Sequence, residues 1–123
     1  MNKKILVVDD EPDSREFLKT YLENDGYQVA EAEDGYEAVE KAIEEHPDLI
    51  LMDMAMPLMD GVNSARTMRL HKELDAVPIV ALTAFGSFYE PRARAAGCDD
   101  VLFKPVDFQR LKPVVSRHLK EDH

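Results

Sequence analysis

A parallel α/β sheet of five strands, wound with helices on both faces, is the fold class this sequence predicts. Three observations carry that prediction. Five short apolar runs, most of them rich in β-branched residues, alternate with five amphipathic segments along 123 residues. The links between them are short, and strands joined through helices return to one sheet in parallel. One run, Leu49-Ile50-Leu51-Met52, is apolar at every position, as in a strand covered on both sides.

Taken in order, Ile5 to Val8 is the first strand. Glu11-Pro12-Asp13 opens a helix, with proline in the first turn and acids at its positive end. That helix offers Phe17, Leu18, Tyr21 and Leu22 as its apolar face, and Asn24-Asp25-Gly26 stops it. Tyr27 to Ala32 is a second, weaker strand. Asp34-Gly35 caps a helix with Ala38, Val39, Ala42 and Ile43 at helical spacing, ended by His46-Pro47. Asp48 to Asp53 is the third strand, and Met54 to Asp60 is a loop. Gly61 to about Lys72 is the third helix, with Val62, Ala65 and Met68 inward. Val77 to Leu82 is the fourth strand, with Pro78 at its start, where proline is tolerated. Phe85 to Tyr89 reads as loop, and Pro91 sits near the start of a short helix ending at Gly97. Val101-Leu102-Phe103 is the fifth strand. The last helix runs from Asp107 towards Lys120, burying Phe108, Leu111, Val115 and Leu119, with a kink or delay expected at Pro113.

Composition narrows the function classes. The length suits one domain, 1–123, with no room for an attached output domain. A single cysteine, Cys98, excludes an internal disulfide and argues against a cysteine zinc site. The chain shows neither a signal h-region nor a membrane-length apolar run, so a cytoplasmic location without membrane insertion is expected. Fifteen basic residues against twenty-five acidic ones give a net charge of −10, which disfavours direct contact with nucleic acid.

Ligands of open parallel sheets bind beyond the carboxyl ends of the strands. There the sequence sets Asp9-Asp10-Glu11 after strand one, Asp53 at the end of strand three, Thr83 after strand four and Lys104-Pro105 after strand five. Carboxylates brought together repel, and a divalent cation with oxygen ligands relieves them. A donor set that leaves places for water and a phosphate oxygen suits Mg²⁺. A carboxylate can also act as a nucleophile towards phosphorus, with a cation and a hydroxyl holding the phosphoryl oxygens. Asp53 is the candidate nucleophile, Asp9 and Asp10 the metal holders, and Thr83 and Lys104 the phosphoryl contacts.

Val7-Val8-Asp9-Asp10-Glu11-Pro12, the run Asp53 to Gly61, Leu82-Thr83-Ala84 and Phe103-Lys104-Pro105 together resemble the receiver domain of two-component response regulators, as in single-domain chemotaxis regulators. Asp9 and Asp53 lie 44 residues apart, Asp53 and Thr83 30, and Thr83 and Lys104 21. The likeness spans essentially the whole chain, and four ordered motifs are far more specific than one. It implies a flavodoxin-like (βα)5 sheet of order 2-1-3-4-5. It implies that Asp53 accepts a phosphoryl group from a sensor histidine kinase or a histidine phosphotransfer protein. It also implies that Asp10, Asp53 and the backbone carbonyl of Ala55 ligate Mg²⁺, Asp9 helping through water. Thr83 and Lys104 would contact the phosphoryl oxygens, and the face of helix four, strand five and helix five would signal to a downstream protein.

The switch residues depart from the family pattern. The aromatic usually found three residues before the lysine is Val101 here, while Phe103 shares its strand face. Phe85 and Pro105 complete the candidate switch and interface set with Thr83. Positions 55 and 85, which flank the route of attacking water in the family, hold the small Ala55 and the large Phe85.

Plainer readings stand beside these. The Asp9-Asp10-Glu11 run could merely favour a helix start, and Lys104 could be a solvated turn residue. Cys98 reads as a small buried hydrophobe, and Met52, Met54, Met56 and Met59 as packing. A phosphohydrolase of the aspartyl-phosphate type usually carries a second acid two residues after its nucleophile, and Ala55 stands there. The expectation is therefore a signalling switch that catalyses only its own phosphoryl transfer and loss, not a turnover enzyme. A phosphate-independent binding module with the same fold is the alternative.

Overall fold

The computed structural model describes residues 2–84 and 88–120. Five strands alternate with five α-helices: β1 (Lys4–Val8), α1 (Pro12–Asn24), β2 (Gln28–Ala32), α2 (Gly35–Glu45), β3 (Leu49–Asp53), α3 (Gly61–Met68), β4 (Ile79–Ala84), α4 (Tyr89–Ala96), β5 (Asp100–Lys104) and α5 (Phe108–His118). A short 3₁₀ turn, Lys72–Leu74, lies between α3 and β4. The strands pair in parallel in the order β2-β1-β3-β4-β5. The expected flavodoxin-like order is thus the one observed.

Alternation along the strands divides the core in two. Ile5, Val7, Leu49, Leu51, Val80, Leu82 and Leu102 face α1 and α5, joined by Leu18, Leu22, Leu111 and Val115. Leu6, Val8, Ile50, Met52, Ile79, Ala81 and Val101 face α2, α3 and α4, joined by Ala38, Ala42, Ala65, Met68 and Ala93. Every residue of β3 is buried, as its unbroken apolar run requires of a central strand. Met52 and Met54 have no exposed surface and Cys98 is buried, so these residues pack as read from sequence.

Local chemistry sets the helix ends. The Asp34, Asp60 and Asp107 carboxylates accept from the backbone N–H groups of Glu37, Asn63 and Arg110, capping α2, α3 and α5. Gly26 and Gly97 take φ of +97° and +111° where the chain leaves α1 and α4.

Five expectations need correction. Helix α3 stops at Met68 and not near Lys72, because its last turn tightens: Leu70 and His71 N–H donate to Thr67 and Met68 carbonyls. Strand β4 runs from Ile79 to Ala84; it starts late because the Val77 carbonyl is taken by Arg69 Nη1 at 2.9 Å and Pro78 has no N–H to give the ladder. The aromatic stretch is not all loop, since Tyr89 opens α4 behind Phe88. Pro113 neither delays nor interrupts α5, since both it and Gln109, whose carbonyl loses its partner, are exposed to water. Phe17 and Phe108 are 52% and 40% exposed. They stack at 5.1 Å from each other, and Tyr21 stacks on Phe108 at 3.7 Å, forming an aromatic ridge between α1 and α5 in place of core.

Candidate functional site

Parallel pairing brings the chemistry-bearing strand ends to one rim. Val8 pairs with Met52 and Asp53 with Leu82, so Asp9, Asp53 and Thr83 leave three adjacent strands at one level. Ala84 pairs with Lys104 and Thr83 with Phe103, which completes the rim at β5.

Three carboxylates meet there. Ligand-capable oxygens of Asp9, Asp10 and Asp53 all lie within 4.8 Å of one another. Asp9 and Asp53 are buried and Asp10 is exposed. Lys104 Nζ approaches Asp53 Oδ2 at 3.0 Å. On the other oxygen, Asp53 Oδ1 accepts from the Ala55 N–H at 3.1 Å. Asp9 Oδ1 accepts from the Glu11 N–H at 2.9 Å, which turns the chain into α1. Burial raises the Asp9 carboxyl above its ordinary value; the Glu11 hydrogen bond opposes this, and the charge of Asp53 adds to it.

One cation beside one of three converging acids leaves an excess of negative charge. Six carboxylate oxygens with no nitrogen or sulfur donor form a hard-cation site, and the single exposed acid leaves an open side for water or phosphate. The donor set therefore fits Mg²⁺.

Two residues that sequence reasoning passed over hold this rim in place. Arg15 donates through Nη1 to the Asp9 carbonyl at 2.7 Å, and its Nε donates to Glu31 at 3.2 Å. It clamps the turn that carries Asp9 and Asp10 against β2. The signal available was an arginine in the first turn of α1, which amphipathicity alone reads as solvated. Gly61 is the second. A Cβ there would lie 2.5 Å from the Asp53 carbonyl and 2.4 Å from Met54 Cε, so only glycine lets α3 start against the nucleophile's own backbone. Its signal was its place eight residues after Asp53 inside the quoted motif.

The remaining expected residues fall as follows. Thr83 is buried near the end of β4. Val101 is buried, and Phe103 is partly buried against the same core half, so the shared face holds. The directly facing partner of Thr83 is Phe103, whereas Val101 faces Ala81. Phe85 lies outside the described residues. Pro105 and Val106 line a groove of about 490 Å³ that starts at Asp9 and Lys104 and runs past Ser14, Phe17 and Leu18. Among the described residues no helix is long and apolar enough to cross a membrane.

Comparison with known proteins adds a family to this geometry. The profile described as response regulator receiver domain matches residues 5–116. The polar-differentiation response regulator DivK of Brucella ovis is 32% identical over 120 residues, 97% of this chain and 98% of DivK. The transcriptional regulatory protein ResD of Bacillus subtilis is 46% identical over 103 residues, 83% of this chain but 42% of ResD, so the match spans less than half of that relative. Among solved structures, the chemotaxis protein CheY4 of Vibrio cholerae superposes with a TM-score of 0.89 at 31% identity, covering 95% of this chain and 98% of that one. The receiver domain of sensor histidine kinase PA1611 from Pseudomonas aeruginosa, with a magnesium ion coordinated in its active-site cleft, gives a TM-score of 0.91 at 32% identity, covering 98% of this chain and 100% of that one.

Proposed function

Because the chain belongs to the response regulator receiver domain family, we propose that it works as a phosphorylation switch with Asp53 as the phosphoacceptor. The observation that carries this reading is the setting of Asp53: buried, 3.0 Å from the Lys104 ammonium and within 4.8 Å of two further carboxylates.

The donor is a phosphohistidine of a sensor kinase or a histidine phosphotransfer protein. A carboxylate oxygen of Asp53 attacks phosphorus, the P–O bond forms as the P–N bond breaks, and the histidine nitrogen leaves with the electron pair. Water later cleaves the acyl phosphate, so the protein catalyses its own charging and discharge and turns over no free substrate. The Ala55 N–H and the Lys104 ammonium hold the two Asp53 oxygens before transfer. Lys104 and the Thr83 hydroxyl then take up phosphoryl oxygens. Asp9, Asp10, Asp53 and the Ala55 carbonyl would hold Mg²⁺, which when bound neutralises phosphoryl charge. Arg15 keeps the Asp9-Asp10 turn in register for that task through the Asp9 carbonyl.

Thr83 couples the site to the surface. Its facing partner is Phe103, so an inward move of the threonine frees space beside that ring. Phe103 thereby takes the switch role that Val101 cannot fill, and Pro105 carries the change to the face of α4, β5 and α5. A downstream protein reads that face, in the cytoplasm, without nucleic-acid contact by this domain.

The test is transfer of radiolabelled phosphate from a phosphorylated histidine kinase domain to the wild-type chain and to Asp53→Asn. Label on the wild type, released by hydroxylamine and absent from Asp53→Asn, supports the reading. Wild-type protein that binds the kinase domain yet takes no label moves the weight to a phosphate-independent binding module.

A further inference from the structure

A second groove lies away from the acidic cluster, between α3 and α4. It encloses about 230 Å³ and is bordered by Asn63, Arg66, Phe88, Tyr89 and Arg92. Its floor is aromatic: Phe88 and Tyr89 stack at 4.5 Å, and Phe88 is 61% exposed. An aromatic ring left this open at the head of a helix is apolar surface without a cover.

The rim carries two guanidinium groups whose pairing sets them apart from the other arginines of the chain. The chain has seven arginines, and Arg15, Arg69, Arg94, Arg110 and Arg117 are each ion-paired. The two arginines without a carboxylate partner among the described residues, Arg66 and Arg92, both stand on this groove. Arg66 is steadied by Asn63, whose Oδ1 accepts from Nη1 at 3.1 Å. Arg92 lies over the Phe88 ring at 4.9 Å, a cation–π contact that orients the guanidinium and leaves its edge donors to solvent. Asp60 also lines the groove, and its carboxylate is engaged with the Asn63 N–H as the cap of α3. In a chain of net charge −10, two arginines without a carboxylate partner among the described residues place positive charge beside the exposed ring.

We propose that the α3–α4 groove docks an acidic peptide segment of a partner protein, with carboxylates on Arg66 and Arg92 and an apolar side chain on the Phe88–Tyr89 platform. Charge complementarity selects this occupant. Guanidinium edges pair carboxylates in bidentate fashion, and the ring between them takes an apolar anchor. A nucleic acid would meet a strongly negative molecule around two arginines. A second copy of the chain would bring its own −10 charge. Neither Asp53 nor Lys104 lines this groove, so docking here is separable from chemistry at Asp53.

The experiment is an NMR titration of the full-length ¹⁵N-labelled chain with two synthetic peptides of about twelve residues. One is glutamate-rich around a central Leu-Phe pair; in the other every Glu is replaced by Gln. The acidic peptide is expected to shift the signals of Arg66, Phe88, Tyr89 and Arg92, and to bind at least about tenfold more tightly than the Gln peptide. The double variant Arg66→Gln/Arg92→Gln and the single variant Phe88→Ala should each weaken it about tenfold. All three sites are solvent-exposed, and the Lys72→Gln control should bind as wild type. Asp53→Asn should also bind as wild type, which keeps this result independent of the phosphoacceptor. Equal binding of the neutral peptide, shifts centred on Lys104 and Asp53, or no binding of the acidic peptide overturns the proposal. So does a dimer that the double arginine variant dissociates, since a second copy would then be the occupant.

Discussion

Asp9→Asn should make the metal-free protein more stable, which is an unusual consequence of removing a buried polar charge. Asp9 lies within 4.8 Å of both Asp10 and Asp53, and Lys104 contacts Asp53. At 4.8 Å one like-charge pair repels by about 3.5 kcal/mol at an effective dielectric of 20, and by about 0.9 kcal/mol at 80. Loss of attraction to Lys104 offsets part of the relief. Asparagine keeps an oxygen for the Glu11 N–H, so the turn survives. A gain of about 1–3 kcal/mol is expected at pH 7, or roughly 4 °C in Tm per kcal/mol.

The pH dependence follows from the direction of the Asp9 shift. Burial raises its folded-state value above 3.8, so the native state holds the proton more tightly than the unfolded chain. The penalty of the charge is absent below 3.8 and complete once pH exceeds the raised folded value. The advantage of Asp9→Asn over wild type should therefore shrink as pH falls through that window. Urea unfolding in EDTA, repeated in millimolar Mg²⁺, measures both effects. Magnesium should stabilise the wild type more than the variant and narrow or reverse the order. An Asp9→Asn protein less stable than wild type in EDTA would refute the reasoning, because repulsion would not then govern the cluster.

Other consequences can be checked with simple variants. Gly61→Ala places a methyl group 2.5 Å from the Asp53 carbonyl, so unfolding should show a loss of about 1–3 kcal/mol and phosphoryl uptake should slow. Lys104→Ala should slow acyl-phosphate-driven phosphorylation roughly 10–100-fold while the fold is kept, as read by mass spectrometry over time and circular dichroism. Burial pushes the Cys98 thiol up to about 11, so at pH 8 only about one thiol in a thousand is ionised in the native state. A disulfide reagent should label Cys98 only as fast as the chain unfolds, and prompt labelling of native protein would contradict the buried setting.

Much of this molecule could be read before its coordinates. Strand ends that must be polar on an apolar sheet gave away Asp9, Asp53, Thr83 and Lys104, because nothing in amphipathic patterning explains them. The cap at Asp34 was legible as an acid before helical periodicity, whereas Asp60 and Asp107, read as a loop end and a helix start, cap α3 and α5 in the same way. What stayed hidden depended on neighbours distant in sequence. The end of α3 is set by tightened turn hydrogen bonds, and the start of β4 by Arg69 reaching the Val77 carbonyl. Neither leaves a local mark. Phe17 and Phe108 look like core in any helical wheel, and only their mutual stacking with Tyr21 explains their exposure. Pro113 is tolerated because it falls on the wet side of α5, a fact of tertiary placement. Arg15 reads as an ordinary surface arginine until its guanidinium is found on the Asp9 carbonyl. Val101 stands where the family has its switch aromatic, and strand register sets Phe103 opposite Thr83 and Val101 opposite Ala81.

The most direct measurement is the intact mass of the protein after incubation with acetyl phosphate, with Mg²⁺ and with EDTA. One phosphoryl adduct in Mg²⁺, absent in EDTA and absent from Asp53→Asn, is the expected result. A folded, Mg²⁺-binding protein that gains no adduct, or an adduct that persists in Asp53→Asn, contradicts Asp53 as the phosphoacceptor.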